Sequence, residues 1–180
     1  MKVTKVLGIY EEGKIILLEP APTNKAKVVI NFFSEEQKLK LMNEEIFWSI
    51  ISLLNFSGQN SNELIRPCIN RLSDFEPEDI YQFEEILAEK LFAIDGKQFA
   101  NSMNLYFSVD SFLYKRCGAI AKGKNFYHEL LKNPFLFSEV ESFEPILYIA
   151  ERAYRIRTGL ELEPSTLSYE TYSNQTAWTE

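Results

Sequence analysis

The chain reads as an α+β protein, with an N-terminal three-stranded antiparallel β-meander followed by a mainly α-helical domain of six or seven helices. Three observations predict this. Residues 3–33 hold short runs of branched and aromatic residues broken by glycine and proline. From residue 43 onward, apolar residues recur at three- and four-residue steps. The charge changes at the same boundary. Residues 1–33 carry five lysines and three glutamates, a net of +2, which leaves −9 for the rest of a chain whose total is −7.

In the first segment, Val3–Tyr10 is one strand-like run and Ile15–Leu18 a second. Glu11-Glu12-Gly13-Lys14 forms the turn between them, with Gly13 free to take positive φ. Pro20 and Pro22 end the second strand because proline cannot donate to a sheet ladder. Lys27–Phe33 is the third strand. A meander of this size buries little by itself, so it needs the body, a second copy or a partner to pack against. The expected organisation is a β-module at 1–34, a helical domain at 43–163 and a C-terminal tail at 164–180.

The helical domain opens at Asn43, a good N-cap, with Glu44 and Glu45 placed where the helix dipole favours negative charge. Ile46, Phe47, Ile50, Ile51 and Leu54 carry that helix to about Asn55. After a polar loop, Glu63–Leu72 is helical, with Pro67 near its first turn or at a kink. Pro77 suits the first position of the next and longest helix, which ends near Asp95-Gly96. A short helix covers Gln98–Asn104. Ser108 or Asp110 caps a helix running to about Lys122, where Cys117, Gly118, Ala119 and Ala121 are small enough for another helix to approach closely. Phe126–Leu131 is helical, residues 135–142 are irregular, and Phe143–Thr158 is the final helix, closed by Gly159. The tail beyond Pro164 is polar but holds Tyr169, Tyr172 and Trp178.

At 180 residues, with 46% hydrophobic and 14% aromatic content, the chain is expected to fold as one domain, or one with a small appendage. No apolar run approaches the roughly 20 residues that span a bilayer, so no membrane role is expected. An acidic body repels the phosphate backbone, which disfavours nucleic acid as the main partner and favours a basic protein. Cys68 and Cys117 lie far apart without CxxC spacing, and no leader-like run precedes the first strand; together they point to reduced thiols in a cytoplasm.

His128 is the only histidine, and the sequence sets only Glu129 beside it. Cys117 follows Arg116, a cation that can favour a thiolate, yet lies in an apolar stripe where free cysteine acts as a small hydrophobe. One histidine and two distant cysteines make no metal site. Carboxylate neighbours such as Glu84-Glu85 fit a solvated helix face. Gly118-x-x-x-x-Gly123-Lys124 imitates a phosphate loop, but Asn125 replaces the magnesium-binding Ser/Thr and Gly118 sits in a helical pattern. No catalytic, cofactor-binding or metal-binding residue is therefore assigned. Tyr114, Arg116, Lys124 and Tyr127 are the candidate ligand or partner residues. Arg152 and Arg155 share a helical face, where they either pair with nearby acids or form an anion site.

Three segments, EEIFWSIISLL (44–54), FLYKRCGAIAKGKNFYHELLKNP (112–134) and ILYIAERAYRIRTGLELE (146–163), resemble in order and character a bacterial family, domain of unknown function 4240. The positions that carry the likeness are Phe47-Trp48, Phe112 with Arg116 and Gly123, and Ala153-Tyr154 with Thr158-Gly159. The resemblance implies an all-helical domain over about residues 43–163 and brings no activity with it. Separately, GIYEEGKIILLEP (8–20) looks like the β-hairpin that opens small prokaryotic antitoxin-like proteins, with Glu12 in place of their usual asparagine. That likeness implies an oligomerisation or docking role for residues 3–33. The function expected from these readings is a non-enzymatic protein-interaction module, in its most specific form an antitoxin- or immunity-like neutraliser. The alternative is a small-ligand or nucleotide-responsive regulator with a pocket near Arg116 and Lys124.

Overall fold

The computed structural model describes residues 8–11, 13–17, 42–103 and 107–179, and the chain divides into two units, residues 1–39 and 40–180. In the first unit, β1 (Gly8–Glu11) pairs antiparallel with β2 (Lys14–Leu17). Tyr10 lies opposite Ile15 and Gly8 opposite Leu17. Gly13 turns the chain at φ 82°, as its place in the sequence predicts.

The α+β expectation is corrected at this point. The β-structure among the described residues is this one hairpin, and the chain is a mainly helical protein. Its strands are four residues each, and Ile15, Ile16 and Leu17 on alternating faces are all exposed, so among the described residues the β-structure buries little. The expected third strand, residues 27–33, lies outside the described residues.

The second unit is helical. α1 (Glu44–Ile51) is capped by Asn43, whose Oδ1 accepts the Ile46 N–H at 3.0 Å. It stops at Ile51, short of Asn55. α2 (Ser61–Ser73) is capped by Asn60, and the Glu63 carboxylate reaches back to the Gln59 N–H at 2.9 Å, a reciprocal cap. Pro67 lies inside α2, well past the first turn. α3 (Pro77–Ala93) starts on its proline as expected. A single turn, α4 (Lys97–Ala100), follows.

α5 (Val109–Ala121) is capped by Ser108, whose hydroxyl accepts the Ser111 N–H at 3.0 Å; Asp110 sits in the first turn. Every residue from Arg116 to Ala121 is buried, so α5 is the central helix, enclosed on nearly all sides. At Gly118 the close approach is made by a loop rather than by another helix. A Cβ added at Gly118 would stand 1.8 Å from the Glu141 carbonyl oxygen, so only glycine allows that approach. α6 (Lys124–Lys132) continues from Gly123.

Within residues 135–142, expected to be irregular, the chain up to Glu139 belongs to a 3₁₀ segment, Pro134–Glu139. The expected helix from Phe143 instead starts as a second 3₁₀ segment, Glu144–Tyr148, and becomes α7 only at Ile149–Thr158. Pro145 has no N–H for the opening turn and Phe143 offers no capping oxygen, so the tighter turn forms first. Gly159 closes α7 in the left-handed region, φ 73°. The tail ends in α8 (Gln175–Thr179). α7 packs against α2 and α3, and the buried rings and aliphatic side chains of α1 to α7 form one core. Among the described residues no helix is long and apolar enough to cross a membrane.

Candidate functional site

The last carbonyls of a helix have no donors within it, and the interior polar centre of this protein grows from those of α3. Tyr127 Oη donates to the Lys90 carbonyl at 2.8 Å, Arg116 Nη1 to that of Leu91 at 3.0 Å, and Asn174 Nδ2 to that of Phe92 at 3.1 Å. Arg116 is 0% exposed, so its cation occupies the negative end of the α3 dipole within the core. Burial lowers the guanidinium pKa, and Asp95, with Oδ1 4.0 Å from Nη2, opposes that shift. Nη2 also donates to Thr171 Oγ1 at 3.1 Å, and the group lies over the Phe112 ring.

Asp95 is equally buried and fastens the tail. It accepts the backbone N–H groups of Tyr172 (3.2 Å) and Asn174 (3.0 Å) and the Trp178 indole N–H (3.0 Å). Upstream, Glu85 takes the Thr166 N–H at 2.6 Å and its hydroxyl at 2.7 Å. The buried Glu84 accepts the Tyr169 hydroxyl at 3.4 Å. Burial pushes the Glu84 carboxyl up to about 7.

The four residues selected from sequence are engaged separately. Arg116 and Tyr127 both serve α3 carbonyls from inside. Lys124 pairs with Glu45 at the surface. Tyr114 is half-buried and its carbonyl accepts the Phe143 N–H at 2.8 Å. No hydrogen bond or ion pair joins these four to one another.

The two groups weighed as chemical are also apart. Cys117 is fully buried, and burial raises its thiol pKa despite the neighbouring Arg116. Cys68 donates to the Ile50 carbonyl at 3.1 Å and is pushed up to about 12. His128 is 44% exposed on α6, its Nε2 3.7 Å from Glu44 Oε1. Glu44, supplied by α1, also holds Lys90 Nζ at 2.9 Å and the Trp48 indole N–H at 3.2 Å, which keep its carboxyl below the usual range. Sequence adjacency offered His128 only Glu129; the packing of α1 on α6 brings Glu44. Among the described residues, no group of three or more His, Cys, Asp or Glu side chains could hold a metal ion.

The surface carries a feature that the sequence reading reached only in part. Asn62, Arg66, Ile69 and Asn70 recur along one face of α2, and Arg152, Arg155 and Ile156 along one face of α7. The two faces meet as an open groove of about 550 Å³ with three arginines in its lining. Arg152 Nη1 donates to Asn62 Oδ1 across it. The i, i+4, i+8 spacing of Asn62, Arg66 and Asn70 was the signal in the sequence that could have identified the α2 wall.

No curated protein and no solved structure matches the chain. Residues 42–156 match the family model described as "Protein of unknown function (DUF4240)", a stretch that includes the α2–α7 groove and leaves out the hairpin and the docked tail. The all-helical domain implied by the resemblance of residues 43–163 is what the structure shows there, and the chain belongs to this family of unknown function.

Proposed function

We propose that the protein acts as a non-enzymatic interaction module that docks through its N-terminal hairpin. The observation that carries this reading is the exposure of apolar side chains on both faces of the hairpin. Tyr10, Ile15 and Leu17 share one face at 57, 44 and 47% exposure, and Ile16 is on the other at 52%. A two-stranded hairpin is marginal in water by itself, and a strand edge is a template for another strand. The partner is a protein that adds a strand there, in the simplest case a second copy of the chain. A net of −9 beyond residue 33 gives a basic protein an added electrostatic reason to bind, the antitoxin- or immunity-like form of this reading.

Light scattering during size-exclusion chromatography tests this directly, alongside capture of partners from the native host. Wild type is expected to run as an oligomer, or to retain a protein partner, in a way that the Ile15→Lys/Leu17→Lys variant abolishes. A monomer that captures nothing, or an association the double variant leaves intact, rejects it. A ligand-responsive role is the second reading. The observation favouring it is the Arg66–Arg152–Arg155 groove rather than the surroundings of Arg116 and Lys124, because Arg116 is spent inside the core.

A further inference from the structure

We infer that the groove between α2 and α7 binds a phosphomonoester: a phosphoryl dianion carried on a small apolar or aromatic group. The argument begins with charge compensation. Several cations elsewhere on this acidic protein sit against carboxylates: Lys90 on Glu44, Lys124 on Glu45, Arg71 on Asp74, Arg157 on Glu76. The groove differs. Arg66 has no hydrogen-bond or ion-pair partner among the described residues. Arg152 is held by the neutral amide of Asn62, which orients the guanidinium without cancelling its charge. Arg155 pairs with Glu151 on its own exposed helix surface, a weak i,i+4 contact that a ligand can displace. No carboxylate lines the groove, so of its three arginines only Arg155 meets an anion of the protein, and that anion lies outside the lining.

Guanidinium groups match phosphoryl oxygens because each presents a planar fork of donors. Three of them, with the Asn62 and Asn70 amides beside them, exceed what one carboxylate can accept and suit a dianion with three terminal oxygens. Ile69 and Ile156 supply apolar wall, and the 64% exposure of Ile156 leaves it open to contact. The groove volume falls in the roughly 300–1,000 Å³ range of small-molecule sites. An organic ester therefore uses both parts of the lining, and inorganic phosphate only one. This inference is independent of the hairpin, which belongs to the other unit of the chain.

The test is a titration of the full-length protein with phenyl phosphate and, separately, inorganic phosphate, followed by NMR at the α2 and α7 amides and the arginine side chains. Phenyl phosphate is expected to shift groove resonances, to bind at least about fivefold more tightly than inorganic phosphate, and to weaken as salt rises. Arg66→Ala and Arg152→Ala should each weaken it by roughly tenfold. Arg71→Ala, on α2 but paired with Asp74, should leave it unchanged. Absence of groove shifts at millimolar ligand overturns the site, as does equal binding by the arginine variants. Equal affinity for inorganic phosphate overturns the ester.

Discussion

Arg116 and Arg66 are the same side chain in opposite circumstances. Arg116 is enclosed at the end of α3, with Leu91, Thr171, Asp95 and Phe112 around its guanidinium. Arg66 stands on the exposed face of α2, in a groove shared with two other arginines. A buried cation is retained only where its surroundings repay its lost hydration, so the contacts of Arg116 are committed to the fold. A solvated cation incurs no such cost and remains available to an outside anion. Burial, rather than residue type, separates the structural arginine from the binding arginines.

The sharpest way to break this comparison is Arg116→Ala. It would leave Asp95 buried without its cation and the Leu91 carbonyl without its donor, and the expected loss is about 3–5 kcal/mol in urea unfolding. A loss below about 1 kcal/mol would place Arg116 with the dispensable surface cations instead. Ending the chain after Pro164 attacks the same centre from its other side. It removes Thr171, Asn174 and the Trp178 indole from Arg116, the Phe92 carbonyl and Asp95, and should cost about 2–4 kcal/mol while opening the core to quenchers of Trp48 fluorescence.

A smaller effect is expected from Glu84. Its carboxyl titrates near 7 in the folded chain against an ordinary 4.5, so between those values the folded chain holds a proton that the unfolded chain has released. Stability contributed by this group is therefore complete below about pH 4.5 and is lost as pH climbs through about 7. Midway between them the slope is about 1.2 kcal/mol per pH unit. Glu84→Gln keeps the acceptor for Tyr169 and should remove that slope; an unchanged stability–pH curve in the variant would show that Glu84 is better solvated than the packing indicates. The smallest change belongs to Arg66→Ala, expected to alter unfolding free energy by less than about 0.5 kcal/mol. A larger loss would make Arg66 part of the fold after all.

Much of the helical unit was legible because its signals are local. Asn43, Pro77 and Gly159 act within one turn of their own positions, through a side-chain acceptor, a missing N–H and a permitted positive φ, and each does what its neighbourhood predicts. The β-meander was not legible in the same way. Alternating residues over four or five positions fit a strand, but whether strands gather into a layer depends on what covers them, and on β2 Ile15, Ile16 and Leu17 are exposed. Gly118 shows an intermediate case: the sequence indicated a close approach, and the partner proved to be the backbone at Glu141 rather than another helix.

The candidate site divides along the same line. Arg152 and Arg155 were readable as one face of a helix because their spacing is three residues. Arg66 joins them only because α2 packs on α7, across more than 80 positions of chain. Likewise, nothing near Asp95 in sequence announces Thr171 on its neighbouring arginine or Trp178 on its carboxylate.

The sequence by itself determined the helices, most of their caps, the small-residue character of α5 and the family, because these follow from periodicity and from interactions within a few residues. Tertiary structure alone decided that Arg116 is interior, that the polar tail is clamped by Asp95, and that three arginines from two helices share a groove. Those outcomes depend on which distant faces meet, and on how much water each meeting excludes, neither of which spacing along the chain records.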